Sequence, residues 1–394
     1  MSAPTIGTSG PGVGGSGLPL HASGRSRVRR FDAGIVPLIV CCPFMYFPKI
    51  LEGDTQPWVM IAALIALFTF RTRRFILRGD VALVLIAMLC VVVYAVRAGF
   101  GLDLLRATYN QLAFIVLWLV CRRDQGDYLP TAIRLTVIVW LAVGLYQYVF
   151  VALGLPIEIS GRFVEGRSGV PSLTSEPSTY GSLSMLHMMY LLSEHKPKNR
   201  PFILATAVSV VLSGSLLAFA LLLFPLMKLK MRWRIAALLA IPLLVSIDYL
   251  LTSAGLTLRA ANVATSTQGL AAAVLDPSVN IRLGHIYFTL IQNFWQSLLW
   301  VSPVDFMNQY NAFADTSRIF METGSNFILT SAGDLIYGYG PVGALLLFVF
   351  VRKAQSQSAT RAKKIEKFTF IVACMLNPIY LSNIFLVMYA QQKN

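Results

Sequence analysis

The sequence predicts an all-α polytopic membrane protein with about eleven transmembrane helices, within a range of about ten to twelve. Three observations carry this reading. Hydrophobic residues make up 56% of the 394 and charged residues only 13%, whereas a soluble domain carries about a quarter charged. Apolar runs near the length of a bilayer crossing recur along the chain. Basic residues gather in short clusters between those runs, the pattern of loops retained on the cytoplasmic side. The short alternating segments of a membrane β-barrel do not occur.

Residues 1–30 stand apart. The stretch GTSGPGVGGSG is too rich in Gly and Ser to bury a core, so a disordered tail is expected. RSRVRR at 25–30 then precedes the first apolar run and reads as a cytoplasmic anchor; no small-residue cleavage site marks it as a signal peptide. The membrane domain, 31–394, follows. Its spans are placed near 33–49, 57–70, 80–96, 108–121, 130–152, 179–193, 201–213, 214–227, 235–252, 326–350 and 367–390. The pair at 201–227 is short for two crossings and reads as a bent hairpin turning at Ser213, Gly214 and Ser215. RTRRFILR (71–78), CRR (121–123), HKPKNR (195–200), KLKMRWR (228–234) and RKAQSQSATRAKK (352–364) become inside loops. The outside loops are then 50–56, 97–107, 153–178 and a large one over 253–325. Within the last, 281–300 (IRLGHIYFTLIQNFWQSLLW) has the broad apolar face of a helix lying on the membrane surface.

The net charge of +15 needs no nucleic acid partner, because topology and lipid headgroups account for its clustering. The five cysteines, Cys41, Cys42, Cys90, Cys121 and Cys374, fall in or beside spans with no metal-binding or disulfide spacing. They are assigned to packing.

The residues that suggest chemistry sit in the outside loops. Gly161 to Gly181, GRFVEGRSGVPSLTSEPSTYG, is a polar run between apolar segments, fit to hold an anionic, lipid-linked substrate at an outward-facing site. Arginine pairs two phosphate oxygens with a fixed fork of donors and keeps its charge, and outside arginines run against the topological bias. Arg162, Arg167 and Arg282 are therefore candidate anion ligands. Pairing with local acids such as Glu158, Glu165 and Asp276 is the plain alternative. Glu176, ahead of Pro177, makes a good helix start whatever its function; it also places a carboxylate where free backbone N–H groups suit an anion. His285 follows Arg282 by three residues on one helix face, and a neutral imidazole there can accept a proton. Asp334 lies inside a predicted span, where an ionised carboxylate needs a partner or a role. The chain lacks a P-loop, a dinucleotide-binding glycine motif and an Asp-x-Asp metal pair.

The order of these features resembles the Wzy-type polymerases and O-antigen ligases that build bacterial surface polysaccharides. Four pieces carry the resemblance: outer-loop arginines running into SEPSTYG (175–181), VLSGSLLAFALLLF (211–224), SVNIRLGHI (278–286) and SNFILTSAGDLIYGYGPVGALLLF (325–348). Ligases of this group place a histidine before the asparagine of the last piece; Ser325 stands there, which favours a polymerase. The resemblance implies a GT-C-like, metal-independent glycosyltransferase that inverts the anomeric centre, in the bacterial inner membrane with a cytoplasmic N-terminus. Its donor is a glycan on undecaprenyl diphosphate, its acceptor another lipid-linked repeat unit, and a chain-length regulator is a candidate partner protein. By the same resemblance Ser178, Tyr180, Asn326 and Asp334 join Arg162 and Arg167 in substrate binding, Arg282 stabilises the leaving diphosphate, and Glu176 or His285 is the base. A transporter of lipid-linked glycan is the rival from another class; midplane charge and broken helices are its signature, and here intramembrane charge is sparse, mainly Asp334, Arg134 and Asp248. A non-catalytic assembly subunit is a third reading, for which single loop arginines are dispensable.

Overall fold

A computed structural model of the chain describes residues 57–69, 78–123, 128–155, 169–174, 176–194, 196–215, 277–299, 303–324 and 328–356, with isolated positions at 218, 222, 367, 371, 372, 375 and 376. The expected N-terminal tail, the spans at 33–49 and 235–252, and most of those at 214–227 and 367–390 lie outside the described residues, as do Arg162, Arg167 and Asn326.

Every regular element among the described residues is helical. In chain order they are α1 (Trp58–Thr69), α2 (Arg78–Ala98), α3 (Leu102–Arg123), α4 (Tyr128–Ala152), α5 (Pro177–Ser193), α6 (Arg200–Ser213), α7 (Pro277–Tyr287), α8 (Phe294–Leu299), α9 (Phe306–Ser317) and α10 (Ser331–Ser356). Three of them contain stretches long and apolar enough to cross a membrane: Val81–Ala98 in α2, Pro130–Val151 in α4 and Ser331–Arg352 in α10. Their outward faces are apolar. On α2, Val81, Leu85, Met88, Leu89, Val92 and Val96 are exposed while Leu83, Ala87 and Cys90 are buried. In water such a face is costly, at about 25 cal/mol per Å²; against lipid it is the stable arrangement. The helices therefore fit a helical membrane protein.

Helix α5 is the central element, with every residue from Thr179 to Leu191 buried. Helix α6 packs along both α5 and α4, α10 packs on α2 and α8, and α3 packs on α1 and α2. The larger core runs through these contacts, with Phe114 and Trp118 of α3 set edge-on against Phe350 of α10 and the ring of Trp140 of α4 tilted against Tyr180 of α5. A smaller aromatic core, Phe288, Phe306, Tyr310 and Tyr337 among its members, binds the expected large outer loop to α10.

The structure corrects two expectations. The loop expected at 97–107 is only a short turn, because Gly99 takes a left-handed φ of 74° and α3 begins at Leu102. Arg97 therefore lies in the last turn of α2, and Arg106 lies on α3, 3.5 Å from Asp103. The continuous helix expected over 281–300 is interrupted. Helix α7 starts earlier, at Pro277, and a π-helical turn at Phe288–Gln292 separates it from α8. The apolar face is the outward one, as a helix on the membrane surface requires: Leu283, Tyr287, Ile291, Trp295 and Leu299 are exposed at every fourth position, while Asn280, Arg282, His285, Phe288, Thr289 and Ser297 are buried.

Helix α10 is broken at Gly340 (φ 57°, ψ −138°), just before Pro341. Proline cannot donate to the preceding turn and its ring clashes there, and glycine alone adopts this backbone readily. Arg97 closes the break. Its Nη2 donates to the Ser297 carbonyl at 2.8 Å, and its Nη1 lies 2.8 Å from where a side chain at Gly340 would begin.

Candidate functional site

Helix α5 begins where SEPS predicts, with Pro177 in its first turn and Glu176 as its N-cap residue. The Glu176 backbone is extended, and its carbonyl accepts the N–H groups of Thr179 and Tyr180, both at 3.1 Å. The carboxylate is left for other work. Ser178 donates its hydroxyl to Glu176 Oε2 at 3.3 Å, and Arg282 Nη2 donates to the same Ser178 Oγ at 3.3 Å. Three sequence candidates separated by up to 106 positions thus form one hydrogen-bonded group at the start of a buried helix.

The components are complementary. Arg282 is 7% exposed, so its charge acts where water screens it weakly. Glu176 is only partly buried, which leaves it open to a proton donor. Ser178 sits between them as both donor and acceptor, holding acid and base apart by one hydroxyl. With the start of α5, this arrangement can bind an anion at the arginine and take a proton at the carboxylate.

His285 lies one turn beyond Arg282 and is fully buried. The Leu329 backbone N–H donates to its Nδ1 at 3.1 Å, so the neutral ring carries its proton on Nε2. Among the described residues that nitrogen has no hydrogen-bond partner. The ring meets Phe306 and Tyr310 edge-on, at 4.8 and 4.5 Å between centroids, where an aromatic face can receive an N–H. Burial, and secondarily the Arg282 charge, pushes its pKa down to about 3. The sequence suggested a proton acceptor; the geometry makes His285 a neutral pin with its lone pair already used.

The other candidates separate. Tyr180 is fully buried, and its hydroxyl donates to the Trp140 carbonyl at 3.3 Å; it packs α5 onto α4 instead of facing a ligand. Asp334 lies in the first turn of α10, with its carboxylate beside the position a side chain at Gly338 would take, near the Tyr94 ring. No hydrogen bond joins it to Glu176, Ser178 or Arg282 among the described residues.

Sequence reading missed the residues that hold the site's loops. Three amide side chains each make paired bonds to backbone. Gln147 clamps Ser172, donating to its carbonyl at 2.8 Å and accepting its N–H at 2.7 Å. Asn280 donates to the Ile319 carbonyl at 3.1 Å and accepts the Met321 N–H at 2.7 Å. Asn311 clamps Thr323 at 3.0 and 2.8 Å. Amides inside apolar helices were the available signal, since a buried amide requires partners.

Comparison with models of known protein families, with curated proteins and with solved structures finds no match.

Proposed function

We propose that this chain is a membrane glycosyltransferase that joins undecaprenyl-diphosphate-linked oligosaccharide repeat units into a bacterial surface polysaccharide or exopolysaccharide. The donor class and the inner-membrane location, with catalysis at the outer face and a cytoplasmic N-terminus, come from the sequence resemblance, as do the GT-C-like architecture and the full set of about eleven spans. One observation carries the reading at the level of chemistry: Arg282, Ser178 and Glu176 meet in a hydrogen-bonded group.

In the proposed reaction the acceptor hydroxyl attacks the donor's anomeric carbon as the bond from that carbon to the diphosphate oxygen breaks. The bonding electron pair leaves on the lipid diphosphate, whose growing charge Arg282 offsets at a site with little water. The acceptor's proton passes to Glu176, the base that the geometry leaves open. No metal enters this scheme. Arg162 and Arg167 are proposed to complete the anion site, and Asn326 and Asp334 to contact the glycan.

The test replaces Arg282 by Ala and by Lys in the producing cell, follows membrane abundance, and resolves the surface polysaccharide on a gel. Loss of long chains with single repeat units retained supports the polymerase. Normal chains from a well-expressed Ala variant defeat it. An O-antigen ligase-type transferase is distinguished by polymer that forms but is not transferred. The transporter reading has a specific observation in its favour, the break in α10 at Gly340. It predicts lipid-linked repeat units accumulating on the cytoplasmic side.

A further inference from the structure

We propose that Gln147 is a positioning residue for the Glu176–Ser178–Arg282 group, acting through Ser172. This inference rests on the function proposed above for what the group does; the connection itself stands on geometry.

Ser172 is one of two non-glycine residues with positive φ among those described, at 52°. A side-chain-bearing residue persists in that conformation only where its surroundings determine it, and such residues concentrate at functional sites. Here the surroundings are explicit. Gln147 is fully buried in α4 and binds both backbone groups of Ser172 at 2.7 and 2.8 Å. The Ser172 hydroxyl donates to the Trp140 carbonyl, also on α4, at 2.8 Å. The segment is thereby fastened to α4 at a single left-handed residue.

From Ser172 the connection runs on to the site. Two residues later, Thr174 Oγ1 lies 2.7 Å from the Pro171 carbonyl and 2.8 Å from the Glu176 carbonyl. The Glu176 carbonyl is also the one that starts α5, and its carboxylate accepts from Ser178, which accepts from Arg282. A displacement of Ser172 therefore moves the cap of α5 and the carboxylate with it. A glutamine whose only task was to satisfy a buried loop would leave the site in place once the loop found other partners.

The two readings separate in full-length protein purified into lipid nanodiscs, with hydrogen exchange followed over residues 170–180. Gln147→Met keeps the length of the side chain and removes both bonds. We expect the amides of this segment to exchange about tenfold faster or more, from the loss of two buried hydrogen bonds. Long polysaccharide chains should fall in parallel while membrane abundance holds. Adding Ser172→Gly also removes the hydroxyl's bond to the Trp140 carbonyl, the last tie of this residue to α4 named above, and should raise exchange at Thr179 and Tyr180 further. If Gln147→Met does not accumulate, Gln147→Glu, which keeps an acceptor for the Ser172 N–H, takes its place with an intermediate loss expected. Wild-type exchange and product in these variants overturn the proposal. Loss of product in Arg282→Ala beside a normal Gln147→Met sinks the positioning role alone. Faster exchange in Gln147→Met beside a normal Arg282→Ala sinks the proposed function alone.

Discussion

Replacing Gly181 by Ala perturbs the packing that holds the candidate site. A methyl group at this position in α5 would overlap Ser213 Oγ and lie 2.9 Å from the Cβ atoms of Ser215 and Ala218. Carbon atoms rest at about 3.5–4.0 Å, so α5 must move away from the end of α6 or those side chains must give. Ser213 has little room, because it is 1% exposed and its hydroxyl donates to the Val210 carbonyl at 2.6 Å. Overpacking costs about 1–3 kcal/mol, and a disrupted buried hydrogen bond adds about 1 kcal/mol. With an unfolding entropy of about 2.1 cal/mol/K per residue, the midpoint in detergent should fall by about 2–5 °C. The assay is loss of the monodisperse gel-filtration peak on heating. Gly101→Ala, with nothing within 4 Å of its new methyl, should leave the midpoint unchanged. Because one oxygen accounts for the closest conflict, Gly181→Ala and Ser213→Ala should be non-additive, with the double variant recovering about 1 kcal/mol. Wild-type stability in Gly181→Ala, or strict additivity in the double variant, refutes the reasoning.

Stability near His285 should depend on pH. Its folded pKa of about 3 lies below the unfolded value of about 6.5, so its contribution is complete above about pH 6.5 and declines as the pH falls toward 3. Removing the titration with His285→Phe should flatten the loss of thermal stability between pH 7 and pH 5, and an unchanged slope would contradict the burial argument. Asn280→Ala removes two bonds to the backbone at 319–321, a loss of about 1–3 kcal/mol; limited proteolysis should cleave that segment faster, and equal cleavage rates would count against the clamp. Leu89 is 46% exposed at the middle of the α2 stretch. Leu89→Asp there should cost about 3 kcal/mol of membrane insertion, read as reduced membrane-integrated protein, and normal integration would argue against lipid at that face.

The parts of the fold legible in the sequence were those governed by local rules. Apolar length placed α2 and α4 within a few residues of their observed ends, and a proline after an acid located the start of α5. The turn at Gly99 was not legible, because arginines at 97 and 106 made a tight reversal look like a polar loop. The outward apolar face of α7 and α8 was legible in its periodicity. The π-helical turn that separates the two helices was not, because no proline or glycine marks Phe288–Gln292. The meeting of Arg282 with Ser178 was suggested only by residue type, since no local rule brings positions 104 apart together. His285 shows the reverse limit, where residue type suggested a base and the Leu329 N–H had already taken the lone pair.

Binding of undecaprenyl diphosphate to the purified full-length chain in lipid nanodiscs, compared between wild type, Arg282→Lys and Arg282→Ala, tests the central claim most directly. A charge-assisted bond at a buried arginine contributes about 1.5–3 kcal/mol. Affinity should therefore drop by about tenfold to a hundredfold in the Ala variant and by less in the Lys variant. Equal affinity for all three would show that Arg282, for all its burial beside Ser178 and Glu176, does not hold the lipid diphosphate.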